Sequence, residues 1–379
     1  DRRFFMAALM LHALDPVRGD RQGRRIQDPS EDDEADELMC RFLDSIAYAC
    51  DRRRGGDTVT AAALQDDPEG PVLLLASNST IKADTREALR KILGQLAEFN
   101  FSRDTHEMEQ KLEDDILRTL VQLGSARLKD YQRQARIKME TLTDLRREFE
   151  NHQRDPKPVL EIRHFIGRLG THVSVAKHFL RTARIPANRR LLSEVRIRIL
   201  PSSTPEPSPI PGASQATMEN IMSKVCQKDD VKRYTERLLE HNSTLQLNIP
   251  ELLAKKRAVS TRVHAELLII EHFRTNNLAF YNSNRRYVGC SKPACYLCSR
   301  YVRALKGPAF LLRGSHEKLY IAWRPPDLPV PCEEGRFRER RDLLNEVMEN
   351  IRREIMELLD RGAKRRQWHP DSTTGVSTV

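Results

Sequence analysis

The sequence predicts an α/β fold, and three observations predict it. Two short β runs, "DTVTAAALQ" and "GPVLLLASN", flank "DDPEG", whose Asp, Pro and Gly supply a turn. Between residues 258 and 325, helix and strand signals alternate. Residues 84 to 154 carry no strand signal and repeat Leu, Ile and Met at helical spacing among mixed charges. The α/β elements thus fall into two blocks with a mainly helical block between them.

Taken in order, "DRRFFMAALMLHALDP" reads as an amphipathic helix, and residues 27 to 37 form an acidic break. No small-residue cleavage site follows the apolar run, so no signal peptide is expected. Residues 1–36 are read as an N-terminal helix and acidic linker, and residues 37–80 as a helix (37 to 52, ended by Gly55-Gly56) and a hairpin. Residues 81–257 are the helical block, punctuated by Pro156 and Pro158. Its helical period runs to about residue 183, with a short strand "EVRIRIL" and a further helix from 216 to 241. Within it, the proline-rich segment 201–212 is a linker or exposed loop of extended character, because Pro joins neither kind of ladder. Residues 258–360 comprise the helix "STRVHAELLIIEHFR" with Ser260 or Thr261 as N-cap, the strand "RRYVGC", and the helix "CYLCSRYVRAL". The strands "AFLL" and "KLYIAW" and a helix over 335–360 complete that block. Residues 361–379 form a basic tail for which disorder is expected, and no internal repeat is present.

A chain of 379 residues, 39% apolar, buries a sizeable core in two or three units. Its longest apolar run falls short of the roughly 18 residues that span a bilayer, and seven cysteines are an odd number. A membrane protein and a disulfide scaffold are both disfavoured, so an intracellular location, cytoplasmic or nuclear, is expected, with no membrane partner. The net charge of +10 is an excess of 64 basic over 54 acidic residues, well mixed, and supports an anionic partner only mildly.

Three of the seven cysteines, Cys290, Cys295 and Cys298, lie within nine residues. A disulfide, a reactive nucleophile or part of a metal site would each explain that density. About thirty residues upstream, His264 and Glu266 stand two apart at a predicted helix start. One imidazole and two thiolates form a borderline-soft set that favours Zn²⁺ and leaves a fourth position open. A C-x-x-C pair at a helix start also gains from the free N–H groups and positive dipole end there, which favour thiolate. His264 and Glu266 are about 200° apart on a regular helix, so they converge only if the helix end points at the metal. The H-E-x-x-H arrangement is absent, because Leu268 stands where a second His would be.

A helix and hairpin, then a helix opening with H-A-E, a strand, and a helix opening with C-x-x-C resemble the cytidine deaminase-like superfamily of zinc deaminases. "GCSKPACYLC", with "GGDTVTA" and "LLLASN" upstream, is most similar to its poorly characterised fungal branch, relatives of which also occur as bacterial toxin domains. The resemblance covers residues 37 to 80 and 258 to 325. It implies a three-layer α-β-α domain with a large, mainly helical insertion between the hairpin and the H-A-E helix. It further implies a Zn²⁺ cofactor held by His264, Cys295 and Cys298, with Glu266 as proton shuttle to a zinc-activated hydroxide that attacks cytosine or adenine. Asn78, in the loop after the second strand, is implied as a substrate contact. Lys292 and His316 are further candidates beside the pocket. The insertion is expected to pack as its own helical subdomain, a lid or recognition element. The superfamily motif places Pro directly before the first Cys, whereas here Pro293 is one residue early and Ala294 takes that place.

Alternatives stay open at this point. A structural zinc on Cys290, Cys295, Cys298 and Cys332 leaves H-A-E unexplained, and Cys290 reads as a packed thiol. Arg285, Arg286, Lys292, Arg300 and Arg303 interleave with Tyr287, Tyr296 and Tyr301, a mixture that suits a nucleotide or single-stranded DNA or RNA as readily as a solvated helix face over core tyrosines. The substrate is a nucleobase in a single strand or in a free nucleoside or nucleotide. A zinc-stabilised binding module on an inactive deaminase fold is the competing function.

Overall fold

The computed structural model describes residues 2–15, 31–99, 104–148, 157–209, 217–249, 251, 259–281 and 285–362. The predicted hairpin is present as β1 (Thr60–Asp66) and β2 (Val72–Ser77), paired antiparallel from Thr60↔Ser77 to Gln65↔Val72. It forms the centre of a mixed sheet in the order β3-β2-β1-β7-β8. Here β3 is Arg196–Ile199, β7 is Arg286–Cys290 and β8 is Phe310–Leu312. β3 runs parallel to β2, β7 antiparallel to β1, and β8 parallel to β7. The short β6 (Ala279–Phe280) also pairs with β1, and β4 (Glu206–Pro207) with β5 (Ser260–Thr261) forms a separate two-stranded piece. Part of the proline-rich segment therefore does enter a ladder, with Ser208 N–H donating to Val259 O where Pro207 has no N–H to give.

Side chains of the central strands alternate between two cores. Ala61, Ala63, Val72, Leu74 and Ala76 face one; Ala62, Leu64, Leu73 and Leu75 face the other. A sheet covered on both sides needs no polar face, which is why these strands read as continuous apolar runs. On the second face lie α2 (Glu31–Cys50), α3 (Ala83–Glu98), α4 (His106–Leu123), α6 (Lys157–Ala183) and α7 (Asn188–Glu194). On the first lie α1 (Arg2–Leu14), α8 (Met218–Val225), α9 (Val231–Leu245), α10 (Ala265–Thr275), α11 (Tyr296–Ala304) and α12 (Glu334–Arg361). The architecture is helices on both sides of a mixed sheet. α5 (Ser125–Glu148) packs on α6, where Tyr131, Ala135 and Phe165 form a small satellite cluster.

Several elements differ from the sequence expectation. α1 is not amphipathic in place: Phe4 through Leu11 are all buried, as expected of a helix apolar on every side. α2 begins at Glu31, so residues 31–36, expected as part of a linker, are helical. The helical block does not keep a core to itself. Phe179 and Val175 of α6 and Leu89 and Ile92 of α3 share a core with Phe42 and Ile46 of α2, and β3 extends the central sheet. The helix expected over 216–241 is two helices, broken after Cys226 by a 3₁₀ turn at Lys228–Asp230. "KLYIAW" is not a strand, because its backbone serves other partners: Lys318 O accepts from Tyr296 N–H and Ala322 O from Arg262 N–H. The expectation for the tail falls, beyond Gly362, outside the described residues. Among the described residues no helix is long and apolar enough to cross a membrane.

One close approach fixes the register of the layers. A Cβ at Gly289 in β7 would stand 2.5 Å from the Leu43 carbonyl carbon and 2.7 Å from Asp44 N. α2 can therefore rest directly on β7, and Asp44 Oδ1 accepts from Tyr287 OH at 2.9 Å and Cys290 N–H at 3.0 Å. That contact positions the strand that leads into the cysteine loop.

Candidate metal centre

Both halves of the H-A-E and C-x-x-C pattern meet at helix starts. His264 is the N-cap of α10, with extended backbone (φ −76°, ψ 152°), and Cys295 is the N-cap of α11 (φ −73°, ψ 167°). Cys295 Sγ accepts the Cys298 N–H at 3.4 Å, using a sulfur as the capping acceptor. His264 Nδ1 lies 3.5 Å from Cys295 Sγ and 3.4 Å from Cys298 Sγ. These three offer one nitrogen and two sulfurs, all within 4.8 Å of one another. The donor types and their convergence fit a tetrahedral Zn²⁺ with one position left for a non-protein ligand. Glu266, in the first turn of α10, is buried with them. The helix end, rather than a helix side, therefore brings His264 and Glu266 to one place.

The electrostatics separate the two thiols. Burial alone would raise Cys295, but the hydrogen bond with Cys298 and the charge of His264 outweigh it and lower the thiol to about 6. Cys298 is pushed well up by burial, by its hydrogen bond with Cys295 and the Cys295 charge, and by the charge and a hydrogen bond of Glu266. His264 is raised: burial opposes its charge, and Cys295 and Glu266 overcome that. The Cys295 thiol is thus the one biased toward thiolate by its neighbours, the form a metal ligand requires.

The neighbours lock this geometry. Asn78 Oδ1 accepts the Ala265 N–H at 2.8 Å, and its Nδ2 donates to Gly56 O at 2.8 Å. Asn78 therefore caps α10 between His264 and Glu266 and ties it to the Gly55-Gly56 loop. Lys292 Nζ donates to Gly55 O at 2.7 Å, so the loop before α11 holds the same glycines. His316 is buried behind the cysteine loop: its N–H donates to Ala294 O at 3.1 Å and its Nδ1 accepts from Lys318 N–H at 3.1 Å. The structure thus brings His264, Glu266, Cys295 and Cys298 together, with Asn78 hydrogen-bonded into that group.

Other expectations resolve differently. Cys290 points into the core and its thiol donates to Val288 O at 3.6 Å, while Cys332 is exposed. Neither joins the three donors, so the four-thiolate alternative has no geometric support among the described residues. Tyr287, Tyr296 and Tyr301 are buried, which removes them as stacking platforms. Arg300 lies over Tyr296 and pairs with Glu317 and Glu354, and Arg285 pairs with Asp36.

Sequence reasoning missed one residue in contact with a donor. Trp323 Nε1 donates to Cys298 Sγ at 3.2 Å, and Trp323 is fully buried. The chain has two tryptophans, and an indole N–H buried beside an apolar run needs an acceptor, but the segment read as a strand and hid it.

A sheet layered between helices, with His/Cys/Cys donors and a buried Glu at two helix starts, is compatible with a deaminase-like domain that could hold a metal ion. Residues 263–327 match a family model described as "OTT_1508_deam:-like deaminase", and this match supports a cytidine deaminase-like assignment for that segment. The matched segment contains all three donors, Glu266 and Trp323. No curated protein and no solved structure matched the chain.

Proposed function

We propose that the protein is a zinc-dependent hydrolytic deaminase that replaces the exocyclic amine of a cytosine or adenine ring with oxygen. The observation that carries this reading is the Glu266 carboxylate, buried beside the three donors where a purely structural metal site requires no acid. Zinc held by His264, Cys295 and Cys298 supplies a Lewis acid that makes water a nucleophile at neutral pH. Glu266 takes a proton from the attacking water and gives it to the ring nitrogen, then takes the remaining proton of the newly added hydroxyl and gives it to the departing amine. The C–O bond forms, the C–N bond breaks and ammonia leaves.

In this reading residues 81–257 are an insertion into the deaminase core, and an intracellular reducing setting suits the free thiols. Asn78 reaches substrate through the same loop it anchors, with Lys292 beside it and His316 acting only from behind the cysteine loop. Arg53 and Arg54 are exposed in the loop whose glycine carbonyls Lys292 and Asn78 hold, which together with the net charge favours a phosphate-linked base in a single strand. Free nucleosides and nucleotides are the second substrate class.

The test is to quantify zinc in the purified protein and to assay ammonia release from nucleosides, nucleotides and oligonucleotides, with Glu266→Ala alongside. Wild-type protein should contain zinc, and the variant should lose on the order of 10²- to 10⁴-fold in kcat. Protein without affinity for zinc sinks the centre, and full activity in the variant sinks the role of Glu266. Zinc with no turnover of any substrate favours the binding-module reading.

A further inference from the structure

We propose that Trp323 is a positioning residue of the metal centre, clamping its two halves together, and that the N-terminal helix α1 holds it in place. This rests on the metal reading above and adds a residue that the H-A-E and C-x-x-C motifs do not include. The indole N–H is a donor only, so Cys298 Sγ must accept the 3.2 Å hydrogen bond, and it accepts best as the thiolate a metal requires. The backbone of the same segment is bound to the other half of the site. Arg262 N–H donates to Ala322 O at 2.8 Å and Arg324 N–H donates to Arg262 O at 2.9 Å, an isolated parallel bridge between Arg262 and Trp323. Arg262 is two residues before His264. The segment centred on Trp323 thus fixes the chain entering His264 through the main-chain groups of Ala322 and Arg324, and the sulfur of Cys298 through the Trp323 side chain.

The indole itself is fully buried, and its place is set partly from outside the matched segment. Phe4 of α1 lies against it with ring centroids 5.6 Å apart, and Tyr301 of α11 meets it edge-on at 6.1 Å. α1 grips the segment again about two turns further on, where His12 Nδ1 donates to Leu319 O at 3.1 Å. Every residue of α1 from Phe4 to Leu11 is buried. A helix more than 250 residues before His264 in sequence therefore forms the back wall of the metal centre.

The full chain is stripped of metal and titrated with zinc(II) against a chromophoric chelator and with cobalt(II) by absorption. Trp323→Phe keeps the ring stacking and removes the N–H. It should weaken zinc about 10- to 100-fold, the usual loss for an outer hydrogen-bond partner of a metal ligand. The same loss should move the sulfur-to-cobalt charge-transfer band to longer wavelength, because the hydrogen bond had stabilised the sulfur lone pair. Should the Phe variant fold poorly, incorporation of benzothienylalanine, with sulfur in place of the indole N–H, gives the same readout at nearly unchanged shape. Phe4→Leu keeps the N–H and loosens the ring, and should also weaken zinc; unchanged affinity there removes α1 from the proposal. A wild-type chain that binds metal, with affinity and band unaltered by loss of the N–H, overturns the role of Trp323. A wild-type chain that takes up neither metal overturns the metal centre itself.

Discussion

Asn78 offers the sharpest separation between holding the site and touching the substrate. Its Oδ1 takes the Ala265 N–H, an unpaired donor in the first turn of α10, and both groups are buried. Asn78→Ala strands that N–H, which costs about 1–3 kcal/mol. Loss of the bond from Nδ2 to Gly56 O adds about 0.5–1 kcal/mol, since Gly56 is exposed and water replaces the donor. The expected total is about 1.5–4 kcal/mol, or roughly 3 to 16 °C in Tm at the slope usual for larger domains. Asn78→Asp keeps the acceptor and adds a negative charge at a helix N-terminus, a gain of about 0.3–1 kcal/mol, while it loses the donor to Gly56. Asp should therefore recover at least half of the stability that Ala loses, and zinc affinity should follow the same order because His264 is the adjacent N-cap. The measurements are urea unfolding by circular dichroism and zinc competition. Equal loss in Ala and Asp, or an Ala variant as stable as wild type, refutes the capping argument. In the latter case a raised KM alone leaves Asn78 as a substrate contact.

Two further outcomes follow from the packing. Gly289→Ala drives a methyl into the α2 backbone at 2.5 Å and puts the Asp44 hydrogen bonds to Tyr287 and Cys290 at risk; a loss of about 3 kcal/mol in chemical unfolding is expected, and a change below 1 kcal/mol contradicts the close approach. His172 is lowered from 6.5 to about 3, first by burial and then by the Arg127 and Arg168 charges, so between those values the unfolded chain binds the proton first and stability falls as pH falls. The slope is up to about 1.4 kcal/mol per pH unit below pH 6.5, and His172→Gln should flatten it in urea unfolding; an equal slope in the variant refutes the assignment.

Much of this architecture was legible because the local signals agree with the tertiary outcome. The hairpin carried its own turn, and the H-A-E and C-x-x-C helices carried their own starts. What stayed hidden depends on contacts distant in sequence. "KLYIAW" alternates like a strand, yet its carbonyls go to Arg262 and Tyr296, residues whose availability no local pattern announces. The first helix has two leading arginines and an apolar run, and only the face of α12 and Trp323 explain why it is buried all round. The middle helices read as solvated from their charge, but α6 alternates Val175, Ala176 and Phe179 toward α2, enough to seal the second face of the sheet. The resemblance pointed to Asn78 as a substrate contact, not as a helix cap. Its bond to Ala265 became visible only when the hairpin and α10, 187 residues apart, met.

The displaced proline has a physical explanation in the same contacts. Residue 294 donates its N–H to Gly314 O at 2.8 Å, and its carbonyl receives His316 N–H and Ser315 OH. Proline at this position would lack the donor and leave Gly314 O without that partner. Pro293, one residue earlier, still shapes the turn into α11 and costs no hydrogen bond of this bridge. Cys295 keeps the N-cap and its sulfur keeps the Cys298 N–H, so moving the ring by one residue leaves the donor geometry intact. The loop after β8 then takes over part of what a proline before the cysteine would have done, fixing the approach to the helix by a backbone bridge instead of a rigid ring. That exchange also accounts for His316: its main chain closes the bridge, and its ring, against Tyr320, keeps the following segment turned toward Trp323.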